Sequence, residues 1–137
     1  MANLKPFLLS DDAKGQAEFY VKALGGEILS ILTYGQAMGL QDERKEKVVH
    51  LCVAVAGGQA IFMKDSFEPV SHGSGLLLNL SYPKEGEARI AFGNLASGGE
   101  AKVPFERQPY GLFYGEVTDK YGVLWMVTAD RADEDRN

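Results

Sequence analysis
His50 and Asp65 are the polar pair in this chain whose placement could do chemistry. Val48 to Ala56 and Gln59 to Asp65 are apolar runs on either side of Gly57-Gly58, and two glycines between such runs signal a tight hairpin. A two-residue turn pairs Ala56 with Gln59, Val53 with Phe62, and His50 with Asp65. A carboxylate opposite an imidazole orients and charges it, as a general base requires. The same pair would also simply hold two strand ends together. Side chains alternate along a strand. This register therefore predicts one apolar face of Leu51, Val53, Val55, Ala60 and Phe62, lying against a helix. His50, Cys52, Ala54, Ile61, Met63 and Asp65 form the opposite, mixed face, which is expected to line a cavity. Cys52 there is either a nucleophile or packing. Met63 and Met126 would give the cavity a soft apolar floor. Tyr114 and Trp125 could stack a planar ligand, but parity turns Met126 to the cavity and Trp125 to the core. Glu116 and Lys120 read as surface residues.

These residues need elements to position them. Gly111 to Ala129 reads as a second hairpin: Leu112 to Thr118, a turn at Asp119-Lys120-Tyr121-Gly122, then Val123 to Thr128. Leu4 to Leu9 is a short strand. Ser10-Asp11-Asp12 offers helix N-caps, and Ala13, Ala17, Tyr20 and Leu24 follow at helical spacing up to Gly25-Gly26. Glu27 to Tyr34 is a strand, Gly35 to Lys47 is polar and charged, and its Asp42 to Lys47 run reads as a solvated loop. After a loop holding Pro69 and His72, Gly75 to Tyr82 is a strand. Pro83 to Ser97 is a helix with Ala88, Ala91, Phe92, Leu95 and Ala96 on one face; Gly98-Gly99 ends it, and Glu100 to Phe105 is a strand. The charged tail, Ala129 to Asn137, is expected to fray.

Composition narrows the function classes. The chain has 137 residues, 45% hydrophobic and 24% charged, as an ordinary globular domain does. Its net charge of −5 argues against nucleic acid and anionic membranes as partners. The single cysteine excludes an internal disulfide framework, and the N-terminus has neither a signal peptide nor a spanning segment, so a cytoplasmic protein is expected.

The order of elements repeats. Ala23-Leu24-Gly25-Gly26-Glu27 returns 73 residues on as Ala96-Ser97-Gly98-Gly99-Glu100. A short strand precedes each helix, and a strand and a hairpin follow. The chain reads as one domain, residues 1–137, made of two βαβββ modules at 1–66 and 75–129. The first carries an insert at Gln36 to Lys47. Neither half closes a core alone.

The stretches AEFYVKALGGEI (Ala17 to Ile28), VVHLCVAVAGGQAIFMKDS (Val48 to Ser66) and YGEVTDKYGVLWMV (Tyr114 to Val127) resemble the PhnB-like branch of the vicinal oxygen chelate superfamily. That superfamily includes glyoxalase I, fosfomycin and bleomycin resistance proteins, and extradiol dioxygenases. The resemblance covers nearly the whole chain, and TDKYGVLWM is its most specific motif. It implies an α+β fold whose paired modules curve a mixed sheet around a pocket, with helices outside, in a homodimer. Metal-dependent members hold a divalent ion through His and Glu on four strands. Carried over by position, those ligands fall at Lys5, near Met63, at Gly75 to Leu77, and at Met126. Lysine and thioether are poor ligands for a hard or borderline divalent ion, and His72 alone makes no site. The expectation is a metal-free, cofactor-free protein that binds a small molecule, with Lys5, Phe7, His50, Cys52, Met63, Asp65 and Met126 as pocket candidates. The alternative is an enzyme acting on a small carbonyl or phosphonate compound. A demethylubiquinone methyltransferase-like label attaches to this branch, but no glycine-rich loop follows a parallel strand to suggest S-adenosylmethionine.

Overall fold
The computed structural model describes residues 1–133; the last four residues of the tail lie outside it. The chain divides into two compact units, Met1–Val70 and a second from Ser71 on. Each has the order βαβββ, with a short extra helix in unit one. Unit one runs β1 (Phe7–Ser10), α1 (Ala13–Leu24), β2 (Gly26–Thr33), α2 (Tyr34–Met38), β3 (Val48–Val55) and β4 (Gln59–Asp65). Unit two runs β5 (Leu78–Lys84), α3 (Glu85–Ala96), β6 (Glu100–Arg107), β7 (Phe113–Thr118) and β8 (Leu124–Arg131). The sheets have equivalent orders, β1-β4-β3-β2 and β5-β8-β7-β6, each with one parallel pair. This is the α+β glyoxalase/bleomycin resistance fold. No helix among the described residues is long and apolar enough to cross a membrane.

The repeat has a physical basis at both ends of each helix. Gly25 and Gly98 end their helices at φ 75° and 76°, where a side chain would be strained. Gly26 and Gly99 then pass so close to a neighbouring strand that a Cβ would lie 1.9 Å from the Ala54 carbonyl oxygen, or 2.2 Å from that of Thr118. At the other end, the amide of Ala13 donates to Asp65 Oδ1 at 2.8 Å, and that of Gly86, 73 residues later, donates to Asp133 Oδ1 at 2.9 Å. A carboxylate beyond the last strand's apolar stretch thus caps the helix of its own unit, where unpaired amides and the helix dipole favour negative charge.

The cores follow from these clamps. In unit one, Ala13, Ala17, Tyr20 and Ala23 are buried, and Gln16 is buried with its amide donating to Tyr20 Oη at 2.8 Å. In unit two, Ala88, Ala91, Phe92 and Leu95 of α3 lie over Phe113, Val117, Trp125 and Val127. Trp125 is 2% exposed, as parity predicts, and its indole donates to buried Asp119 at 2.8 Å. Asp119 also accepts from the amides of Tyr121 and Val123, so one carboxylate holds the β7–β8 turn and the largest core side chain.

Three expectations change. The Gln36 to Lys47 insert opens within a helix that the sequence does not announce: Thr33 and Gln36 form a reciprocal cap that starts α2, while Asp42 to Lys47 is turn and bend as expected. The tail does not fray from Ala129, because β8 pairs with β5 as far as Arg131, and Ala132 is buried. The third concerns β3 and β4. Val55, not Ala56, pairs with Gln59, so Cys52 faces Phe62 and Leu51 faces Met63. The turn has three residues, Ala56-Gly57-Gly58, with Ala56 at φ 49° and the Gly58 amide donating to the Val55 carbonyl. The extra residue leaves the β3 assignment intact and inverts β4. Ile61, Met63 and Asp65 join Leu51, Val53 and Val55 on the helix side, while Ala60 and Phe62 join His50 and Cys52 on the open side.

The inverted strand sets the stability order of two neighbours. Met63 is fully buried under α1, so Met63→Ala should cost about 2–5 kcal/mol in chemical denaturation. Phe62→Ala, on the open side, should cost less than half of that. The reverse order would mean that β4 is assigned to the wrong face.

Candidate functional site
On the face of each sheet turned away from its helix, strand register says which side chains lie together. In unit one, two rows cross the sheet: Phe7, Phe62, Cys52 and Ser30, then Leu9, Lys64, His50 and Leu32. Phe7 is 50% exposed, Leu9 44% and Leu32 41%, so this side is left apolar and open. Lys5, just before β1, places its ammonium 4.9 Å from the centre of the Phe62 ring. The His50 ring meets the same phenylalanine at 5.6 Å, tilted by 55°. Cys52 is buried beside them.

Lys5, Phe7, His50 and Cys52 therefore lie around Phe62 on one side of the sheet. Met63 and Asp65 are not with them. Met63 is buried on the helix side. Asp65 accepts from the Ala13 amide through Oδ1 and from the Val48 amide through Oδ2, at 2.8 and 2.7 Å. Its carboxylate is occupied in holding α1 and β3 to the end of β4. The His50–Asp65 dyad does not form, because a one-residue change of register puts its members on opposite faces. Phe62 was missed for the same reason.

The open face of unit two is polar. Its rows are Asn79, Met126, Glu116 and Val103, then Ser81, Thr128, Tyr114 and Glu106. Met126 lies there, in the other unit from Lys5, Phe7, His50 and Cys52. The Ser81 hydroxyl donates to Asn79 at 3.0 Å and shares a 2.9 Å contact with the Thr128 hydroxyl. The Tyr114 phenol donates to Glu116. That bond to a carboxylate, with burial and the negative charge of Glu116 added, pushes the Tyr114 phenol up to about 12. Glu116 is thus no idle surface residue. Alternation along β7 puts it on the same side as Tyr114, a signal available in the sequence.

No group of three His, Cys, Asp or Glu side chains comes together among the described residues. The positions implied by the resemblance offer an ammonium at Lys5, a core thioether at Met63 and a second thioether at Met126. This donor set does not fit a divalent ion of the hard or borderline class.

The chain is similar to Protein YjdN of Escherichia coli K12, 26% identical over 90% of this chain and 92% of that protein. Among solved structures it resembles protein PA1353 of Pseudomonas aeruginosa, 25% identical, with a TM-score of 0.82 over 96% of this chain and 99% of that one. It also resembles the PhnB protein of Bacillus cereus, described as a candidate 3-demethylubiquinone-9 3-methyltransferase, 25% identical, TM-score 0.75, over 93% and 99%. A glyoxylase/bleomycin resistance protein/dioxygenase domain from Frankia shares the fold at 15% identity, TM-score 0.67, over 98% and 96%. The chain has the fold of the glyoxalase/bleomycin resistance/dioxygenase proteins. No family model matches the sequence.

The Tyr114–Glu116 bond predicts an alkaline signature. Between the ordinary phenol value near 10 and about 12, the unfolded chain releases a proton that the folded chain keeps. Stability from this bond is complete below pH ~10 and is lost as pH rises through ~12. Ultraviolet titration should find a phenol near 12, beside the Tyr82 phenol that burial also raises, and only the former should move back towards its ordinary value in Glu116→Gln. An unchanged titration in that variant would remove the bond.

Proposed function
We propose that this chain is a metal-free, PhnB-like glyoxalase-fold protein that binds a small molecule on the open faces of its sheets. The observation that carries this reading is the open side of the β1–β4 sheet. Phe7, Leu9 and Leu32 are exposed there beside the Lys5–Phe62–His50 cluster. An apolar surface with a few placed polar groups is what a small-molecule site offers. The ligand positions filled by lysine and methionine support binding without a metal. An enzyme remains the alternative class for this fold, but its proposed base has lost its carboxylate partner to the helix clamp. The methyltransferase label is not favoured: β1 joins α1 through Asp11 and Asp12, not a glycine-rich loop.

A thermal-shift screen of small organic molecules on the dialysed protein, with elemental analysis alongside, tests the reading. At least one compound should raise the melting temperature in a concentration-dependent way, without stoichiometric metal. One tightly held metal per chain, or no stabilising compound in a broad screen, would reject it.

We also infer that the protein is a homodimer. β2 is an edge strand, and Leu29, Ile31 and Leu32 on it are exposed. Unpaired backbone groups beside apolar side chains favour pairing with a second copy. Sedimentation should show a dimer at micromolar concentration, shifted towards monomer in Leu29→Lys. A monomeric parent protein would overturn this.

A further inference from the structure
We infer that the open face of the β1–β4 sheet takes a flat aromatic ring carrying an anionic group, such as an aromatic carboxylate. The inference rests on the small-molecule reading above and names the ligand class for this face. Its first support is charge. The whole chain has net charge −5, yet the strand residues on this face include Lys64 and His50, with Lys5 just before them. The one carboxylate that register puts on the same side is Glu27, opposite Ala54 and nearer the turn. None of the three basic side chains has an ion-pair partner among the described residues. Cations gathered beside an apolar surface attract an anion more strongly than they would in open water.

The second support is shape. Phe62 sits in the middle of the sheet, with Phe7 beside it on β1 and Cys52 on β3. The Lys5 ammonium approaches its ring, and the His50 ring is tilted against it. A flat ring laid on this surface would cover Phe7 and Phe62, and its acid group would reach a lysine ammonium at the rim. A cation would meet two like charges, Lys5 and Lys64. A non-planar acid would lose the ring contacts.

Three probes separate these terms: naphthoate, naphthylmethylammonium and cyclohexanecarboxylate. Binding is followed by calorimetry and by the nuclear magnetic resonance signals of His50 and Cys52. Naphthoate should shift both signals saturably and bind roughly tenfold more tightly than either of the others, the ratio that one charge-assisted contact supports. Lys5→Gln, in an exposed residue outside the strands, should weaken naphthoate binding several-fold without changing the melting temperature of the free protein. Phe62→Leu should weaken it too. Equal or tighter binding of the ammonium probe would overturn the assignment. So would no naphthoate binding, or shifts confined to Tyr114 and Thr128. In each of those cases a stabilising compound from the broad screen would keep the small-molecule reading alive, whereas an empty screen would reject both.

Discussion

Everything in unit one depends on where the carboxylate of Asp65 points. It is buried at the end of β4, with one oxygen on the first amide of α1 and the other on the first amide of β3. A buried carboxylate is costly unless its lone pairs are filled, and two short bonds from backbone amides fill them. The bond to Ala13 fixes the helix over one side of the sheet, and the bond to Val48 fixes the end of the β3–β4 ladder. Leu51, Val53, Val55, Ile61 and Met63 must then pack under α1, and Phe7, Leu9, His50, Cys52 and Phe62 must face away. Unit two repeats the device with Asp133 and Gly86. There the helix bond comes from an exposed carboxylate, and the buried one, Asp119, holds a turn and the Trp125 indole instead of a helix.

The clamp explains why the fold was legible in the sequence and half of the site was not. Both helices announce themselves through apolar spacing and a glycine pair. The glycines are required twice over, by a positive φ at Gly25 and Gly98 and by close strand contact at Gly26 and Gly99. β3 was read correctly because Leu51, Val53 and Val55 are larger than Cys52 and Ala54 between them. β4 offers no such contrast. Ala60, Ile61, Phe62 and Met63 are all apolar, so its faces were inferred from the turn alone. Ala56 adopts a positive φ, which is unusual for a residue with a side chain, and the turn gains one residue. Phe62 and Met63 therefore exchange roles, and Asp65 leaves the face of His50. Asp65 itself held the missing clue. A lone carboxylate ending an apolar strand, with a helix start elsewhere in its module, has amides to cap as well as an imidazole to meet.

The open sides of the two sheets differ in chemistry although their frames match. In unit one the central positions are Phe62 and Cys52, with Lys64 and His50 in the next row. In unit two the central positions are Met126 and Glu116, followed by Thr128 and Tyr114. The first side offers rings and cations. The second offers hydroxyls and a carboxylate already bonded to a phenol. Neither offers a hard divalent cation the ligand set it needs. In the proposed reading, recognition on such surfaces comes from stacking, direct hydrogen bonds and charge.

This division of labour has an energetic cause. The cores under α1 and α3 hold the large, fully buried side chains, together with the glycine contacts and the carboxylate clamps. A side chain on an open face contributes little to that core, so its identity is released from the demands of folding. Phe7 at half exposure and Lys5 outside the strands do little to keep the sheet together, whereas Met63 one position from Phe62 does much. An exposed aromatic gains more by being covered than it contributes while bare, since apolar area left in water is the area a ligand can still remove from it. Chemistry can be exchanged on such a face while the frame beneath it stays the same. The same frame can thus present metal ligands in one chain, and lysine, phenylalanine and methionine in this one.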